Sequence, residues 1–213
     1  MSTHLLVALS PILIVALGAL ALRLAEAFSR LRNEAQESPS ASLSTGSAIV
    51  LLAAFTATMG VWMVGPENLP GVVALAPWLL IDRFSLFFFA LLTLGAMLTV
   101  LYAGGYLPEH KLDRGEFYPL VLLATAGAMA LSAAGDLLTL FIGLETMSLG
   151  VYAMVAFRRG SPRSIEASLK YFLLGAFAAA LLLYGGALLY GATGKTELAA
   201  IGRQLMHAGT VPA

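Results

Sequence analysis

Charges along this chain gather in short clusters, and the stretches between the clusters stay apolar over long distances. Marking where the charges cease gives six runs, about residues 5–22, 47–65, 84–106, 117–135, 137–157 and 164–191, with ends loose by several residues. A helix rises 1.5 Å per residue and a hydrocarbon core is about 30 Å thick, so runs near 20 residues suit membrane-crossing helices and not the strands of a barrel. The pattern predicts an all-α fold, a polytopic transmembrane helical bundle of six spans forming one domain over residues 1–213. Between the first two runs, residues 33–47 (NEAQESPSASLSTGS) are polar and Ser-rich with little to bury, which predicts a mobile cytoplasmic loop.

Basic residues orient the bundle. Of the twelve Lys and Arg, eight fall in alternate connections: Arg23, Arg30 and Arg32, then Lys111 and Arg114, then Arg158, Arg159 and Arg163. The other side holds only Arg83, Lys195 and Arg203, so the first set is expected to be cytoplasmic and the amino terminus to lie outside. The first run is not a signal peptide, because no basic residue precedes it and Arg23 follows it. On the outer side Trp62 and Trp78 are placed as an aromatic belt would be, and Asp82 and Asp136 are expected to cap or flank helices at the outer surface.

Composition sharpens this picture mainly by exclusion. With 59% hydrophobic and 11% charged residues and a mean hydropathy of +0.87, the chain is not an ordinary water-soluble domain. Net charge is zero and no basic block tracks a phosphate backbone, so nucleic acid is not expected as a partner. The absence of cysteine removes disulfides, thiol nucleophiles and thiolate ligands for iron–sulfur clusters. His4, His110 and His207 lie near termini or in loops, so no helix pair can clamp a haem and no HExxH zinc site exists. Asp82 and Asp136 sit at span ends, which argues against an intramembrane aspartyl protease. Ion movement and scaffolding remain.

Glu145 is the outstanding position, the one charge in the run Leu137 to Phe157 (LLTLFIGLETMSLGVYAMVAF). Hydrocarbon disfavours a carboxylate by several kcal/mol, so ionisable groups within spans usually face protein or water and carry function. On a helix Glu145 shares a face with Leu138, Phe141, Ile142, Ser148, Leu149 and Tyr152, and Ser148 or the Tyr152 hydroxyl could hydrogen-bond it. The alternative is a satisfied core glutamic acid. Lys170 is the candidate partner, with two readings open. Residues 171–194 could span alone, leaving Lys170 as an interfacial anchor. If instead Ser161 caps the helix and Pro162 opens it, Lys170 lies about two turns inside, beside Glu166. Counted from a shared cytoplasmic end, Lys170 is then roughly 12 Å deep and Glu145 roughly 18 Å. Glycines at 127, 143, 150, 175, 185 and 186 allow close helix packing.

The stretch from Gly115 to Leu183, with GEFYP at 115–119, GLExMSL at 143–149, AFRR at 156–159 and EAxLKYFxLGA at 166–176, strongly resembles subunit N of bacterial NADH–quinone oxidoreductase, complex I. The amino-terminal spans fit the same antiporter-like membrane subunits more loosely, through Asp82 and the aromatic run Phe84 to Phe89. The resemblance implies a proton-translocating subunit with about fourteen spans, in a bacterial inner membrane, packed among other membrane subunits of complex I. It implies no cofactor bound by this chain, NADH, FMN, iron–sulfur clusters and quinone being used in other subunits. By position, Glu145 matches the fifth-span glutamate and Lys170 the sixth-span lysine of the proton path. The family continues into a broken seventh helix and further lysine-bearing spans, so a chain stopping at Ala213 is expected to be a fragment or truncated product. The alternatives are a subunit of a multisubunit cation/proton antiporter or membrane-bound hydrogenase, or a non-conducting membrane scaffold.

Overall fold

A computed structural model describes residues 2–32, 40–69, 75–110, 112 and 114–208. Helices occupy all six predicted runs: α1 Ser2–Arg32, α2 Ser40–Val64, α3 Arg83–Glu109, α4 Phe117–Ser132, α5 Leu137–Val155 and α6 Pro162–Thr193. A short α7, Leu198–Ala208, follows, which the apolar pattern did not announce. Helices α1, α2, α3, α5 and α6 are long and apolar enough to cross a membrane, and α4 is an apolar helix of 16 residues.

Local chemistry sets the helix ends. Asp82 caps α3 through the backbone N–H of Ser85, whose hydroxyl accepts from the Asp82 N–H in return, a capping box that satisfies two donors at once. Asp136 caps α5 through Thr139 N–H, and Ser161 with Pro162 opens α6 as predicted. Gly194 ends α6 in the left-handed region, φ 64°, which costs glycine little. Inside α1, Pro11 cannot donate to the carbonyl of Val7, and the Ser10 hydroxyl donates to it at 2.7 Å instead. Thr58, Thr93 and Thr125 likewise donate to the carbonyls of Ala54, Phe89 and Val121, so these buried hydroxyls need no other partner.

Residues 40–47 correct the sequence reading, because they form the first turns of α2 instead of a loop. Residues 33–39 of that predicted loop lie outside the described residues. Small size explains the correction. Ser44 and Ser47 are buried, the Ser44 hydroxyl donates to Val100 O at 3.3 Å, and a Cβ added at Gly104 would lie 2.8 Å from Ser44 Oγ. A Ser-rich segment looks loop-like by polarity, yet its short side chains let α2 press against α3.

Helices α1 to α4 enclose the core, with Val15, Leu51, Phe89, Val100, Leu122 and Met129 buried among them. Helix α4 also carries α5, across the most extensive helix pair of the bundle. Glycine makes that possible. A Cβ at Gly127 would overlap the backbone nitrogen of Met147, and one at Gly143 would lie 2.6 Å from Leu131 N. The turn between α4 and α5 is gripped from both flanks. Leu80 N–H donates to Ala133 O and Gly135 N–H to Trp78 O, while Leu137 N–H donates to Thr196 O and Leu198 N–H to Gly135 O. A side chain at 135 would collide with Pro77 O. Asp136 therefore caps α5 as expected but is 1% exposed instead of lying at the surface.

Candidate functional site

Glu145 and Lys170 ride on the two helices least enclosed by the bundle. Only Gly143 and Gly150 of α5, and Ala179 and Thr193 of α6, are buried. Gly143 and Gly150 face α4, and Glu145, two residues beyond Gly143, points some 200° around the helix from that seam. It is half-buried in the flank between α6 and the open face that carries Leu138, Ile142 and Leu149. Among the described residues no hydrogen bond or ion pair reaches its carboxyl. Neither Ser148 nor Tyr152 serves it. The Tyr152 hydroxyl lies over Gly175 so closely that a Cβ there would collide with it, and its ring meets those of Tyr171 and Phe172 edge-on at 5.1 and 5.7 Å.

Those ring contacts fix the register of α5 against α6. Tyr152 is level with Tyr171 and Phe172, and Glu145, seven residues earlier on α5, lies roughly 10 Å further toward the N-terminus of α5. Sequence counting gave an offset of only about 6 Å, because it assumed that both helices begin at one level. In this antiparallel pair each side chain leans toward its own helix N-terminus, Glu145 and Lys170 in opposite directions, which widens the gap.

Lys170 is held by Glu166, Nζ to Oε1 at 2.5 Å, the same-face pair that the Ser161 cap predicted. Its face is not the one that meets α5. Tyr171, Phe172 and Gly175 contact α5, whereas Lys170 shares a stripe with Leu174, Phe177, Leu181 and Leu188, all more than half exposed. Glu145 and Lys170 are thus on neighbouring helices but are not joined by an ion pair. Between the N-terminal half of α5 and the C-terminal half of α6 lies a cavity of about 390 Å³, walled by Leu138, Phe141, Leu182, Gly186 and Tyr190. So apolar a lining offers water few partners. Among the described residues no cluster of three His, Asp or Glu side chains could hold a metal ion.

Two ionic contacts at the end of the bundle that carries the α5–α6 turn were not read from the sequence: Glu116 with Arg159 at 2.6 Å, and buried Glu26 with Arg23 at 2.8 Å. The first joins GEFYP to AFRR, 43 positions apart. Nothing in either segment says which turns meet.

The comparisons with known proteins agree with this geometry. The family described as "NADH:quinone oxidoreductase/Mrp antiporter, TM" matches residues 134–211, the stretch holding Glu145 and Lys170. NADH-quinone oxidoreductase subunit N 1 of Sorangium cellulosum (strain So ce56) is 59% identical over 205 residues, covering 95% of this chain and 40% of that protein. A chain in the structure of respiratory complex I from Thermus thermophilus with bound aureothin superposes with TM-score 0.70 at 34% identity, over 88% of this chain and 38% of its own length. The membrane-bound sulfane sulfur reductase, an archaeal respiratory membrane complex, contains a chain sharing the fold at TM-score 0.74 and 22% identity, over 92% of this chain and 39% of that one. This chain therefore spans about two fifths of the length of these relatives. It belongs to the antiporter-like membrane subunits, in the branch that includes subunit N of NADH–quinone oxidoreductase.

Proposed function

We propose that this chain works as part of a proton-translocating subunit of NADH–quinone oxidoreductase in a bacterial inner membrane, with Glu145 and Lys170 in the proton path and neighbouring membrane subunits of complex I as partners. The supporting observation is Glu145 itself, a carboxyl midway along an apolar helix with no hydrogen bond or ion pair among the described residues. A core glutamic acid kept for structure would be hydrogen-bonded. In this arrangement the ammonium of Lys170 is paired with Glu166, and Glu145 is apart from it. Contact is unnecessary for coupling. At an effective dielectric near 20, bringing opposite unit charges from about 12 Å to about 6 Å is worth roughly 1.4 kcal/mol, a tenfold change in a protonation equilibrium. Movements that alter the separation would then drive proton uptake and release, the driving rearrangement coming from adjacent subunits. The chain's own part is acid–base and electrostatic.

Glu145→Gln in the complete subunit of the assembled complex tests this. Gln keeps shape and hydrogen-bonding capacity but neither charge nor a transferable proton. The variant is expected to assemble normally and to lose coupled proton translocation and quinone reductase activity roughly tenfold or more, with Glu145→Asp intermediate. Wild-type pumping by assembled Glu145→Gln complex would return Glu145 to the core and leave the scaffold reading.

A further inference from the structure

A row of alternating charges crosses the cytoplasmic end of the bundle. Glu116, at the start of α4, accepts on Oε2 from Arg159 Nη2 at 2.6 Å, and its Oε1 lies 3.8 Å from Arg23 Nη1 on α1. The same Arg23 nitrogen donates to Glu26 Oε2 at 2.8 Å, and the Glu26 side chain is fully buried. One carboxylate thus ties two distant segments, α1 and the turn between α5 and α6. Beside it Phe117 meets Phe157 edge-on at 5.6 Å, so the turn is docked by an aromatic contact as well. Arg158 and Arg163 flank Arg159, are exposed, and pair with no acid among the described residues. Topology asks only for positive charge, and all three arginines supply it. Docking singles out Arg159.

We infer that Glu116 and Arg159 are positioning residues, which hold the α5–α6 turn on the start of α4 and so set how far apart Glu145 and Lys170 stand. The inference rests on the reading of those two residues given above. Helix α6 buries little of itself, so its tilt depends on few anchors: the hydrogen bonds of Thr196 and Leu198 to the α4–α5 turn just past its C-terminal end, the Tyr152 contact with Gly175, the hydrogen bond from Ser164 Oγ to Val155 O at 2.7 Å, and this docked turn. An ion pair with its arginine 64% exposed contributes little to global stability, so losing it should spare the fold while freeing the hairpin. Misplacement by about 1 Å is enough to slow a reaction that depends on alignment.

The test measures proton translocation per assembled complex in native membranes. Arg159→Ala and Glu116→Gln are each expected to lower it at least about threefold at unchanged assembly, and the double variant to fall no further than Glu116→Gln alone, because Glu116→Gln already removes the interaction that Arg159→Ala removes. Arg159→Lys should recover most of the rate, since a single hydrogen bond from a cation replaces a single hydrogen bond. Arg158→Ala and Arg163→Ala, with the same loss of charge, should pump as wild type. Equal effects at all three arginines, additive losses in the double variant, or a change in assembly alone would each overturn the inference. If Glu145→Gln impairs pumping while Arg159→Ala behaves like Arg158→Ala, positioning fails and the proton-path reading stands. If Glu145→Gln pumps normally, that underlying reading fails first.

Discussion

Replacing Gly127 by alanine should loosen the seam that holds α5 in place. The added Cβ would overlap the Met147 nitrogen and sit 2.9 Å from both Gly143 O and Thr146 C, against about 3.5–4.0 Å for unstrained contact between carbon atoms. All three are backbone atoms, so no side chain can rotate aside, and α5 must retreat by about 0.5–1 Å along this stretch. A gap of that size forfeits a quarter to a half of the dispersion energy of the atoms it separates. Overpacking costs about 1–3 kcal/mol, and rigid backbone favours the upper end, whereas alanine in place of helical glycine returns about 1 kcal/mol. The net loss is about 2 kcal/mol, or roughly 4–8 °C in Tm for a chain of this size. Gly95→Ala on α3 is the control, because a Cβ there meets nothing within 4 Å and only the propensity gain remains. The same chemical change should therefore lower Tm at 127 and leave it equal or higher at 95. Melting in detergent can be followed by tryptophan emission, since Trp78 O accepts from Gly135 N–H at the turn that joins this helix pair. A Gly127→Ala protein melting at or above wild type would refute the tight-seam account.

Four further outcomes are expected. Asp136→Ala removes the cap from α5 at a buried position and should cost about 1–2 kcal/mol, seen as a lower Tm, whereas an unchanged Tm would mean that another group satisfies Thr139 N–H. Lys170→Ala should impair pumping while Lys170→Arg retains part of it, and an interfacial anchor would tolerate both. With no native cysteine to interfere, Ser161→Cys should react with a membrane-impermeant thiol reagent from the cytoplasmic side and Asn68→Cys from outside, the reverse pattern overturning the orientation. A hydrogen bond from its own backbone N–H and then the Arg83 guanidinium hold the Glu67 carboxyl below its ordinary value of 4.5. The small stabilisation this gives is complete above that value and lost as pH falls through the lowered one, so Glu67→Gln should differ from wild type at neutral pH and not in strong acid.

The six long helices were legible because charge is excluded from runs that must cross hydrocarbon. The start of α2 was not, since Ser44 and Ser47 read as polar although their size lets them be buried. Helix α7 escaped because eleven residues with mixed polarity carry no membrane signal. Glu145 could be found by its isolation in an apolar run, and Lys170 by its spacing from Ser161 and Glu166. Their mutual placement could not. It depends on which faces of α5 and α6 meet, and the large side chain of Tyr152 seated on Gly175 decides that, turning Lys170 to the far side. The pairing of Glu116 with Arg159 was hidden for a similar reason, because it follows from how the α3–α4 and α5–α6 connections fold back together.

The backbone grip on the turn before α5 gives that helix unequal ends. Four hydrogen bonds and the close approach of Gly135 to Pro77 O pin its N-terminal end, while side-chain contacts, Phe157 on Phe117 and exposed Arg159 on Glu116, hold the other. Mechanically α5 is a lever with its fulcrum at Leu137. A tilt of about 5° about that point would carry the far end of this roughly 28 Å helix through about 2.5 Å, yet move Glu145, some 12 Å along, by about 1 Å. A displacement applied at the α5–α6 turn thus reaches the carboxyl reduced more than twofold, while the Leu137 end stays still.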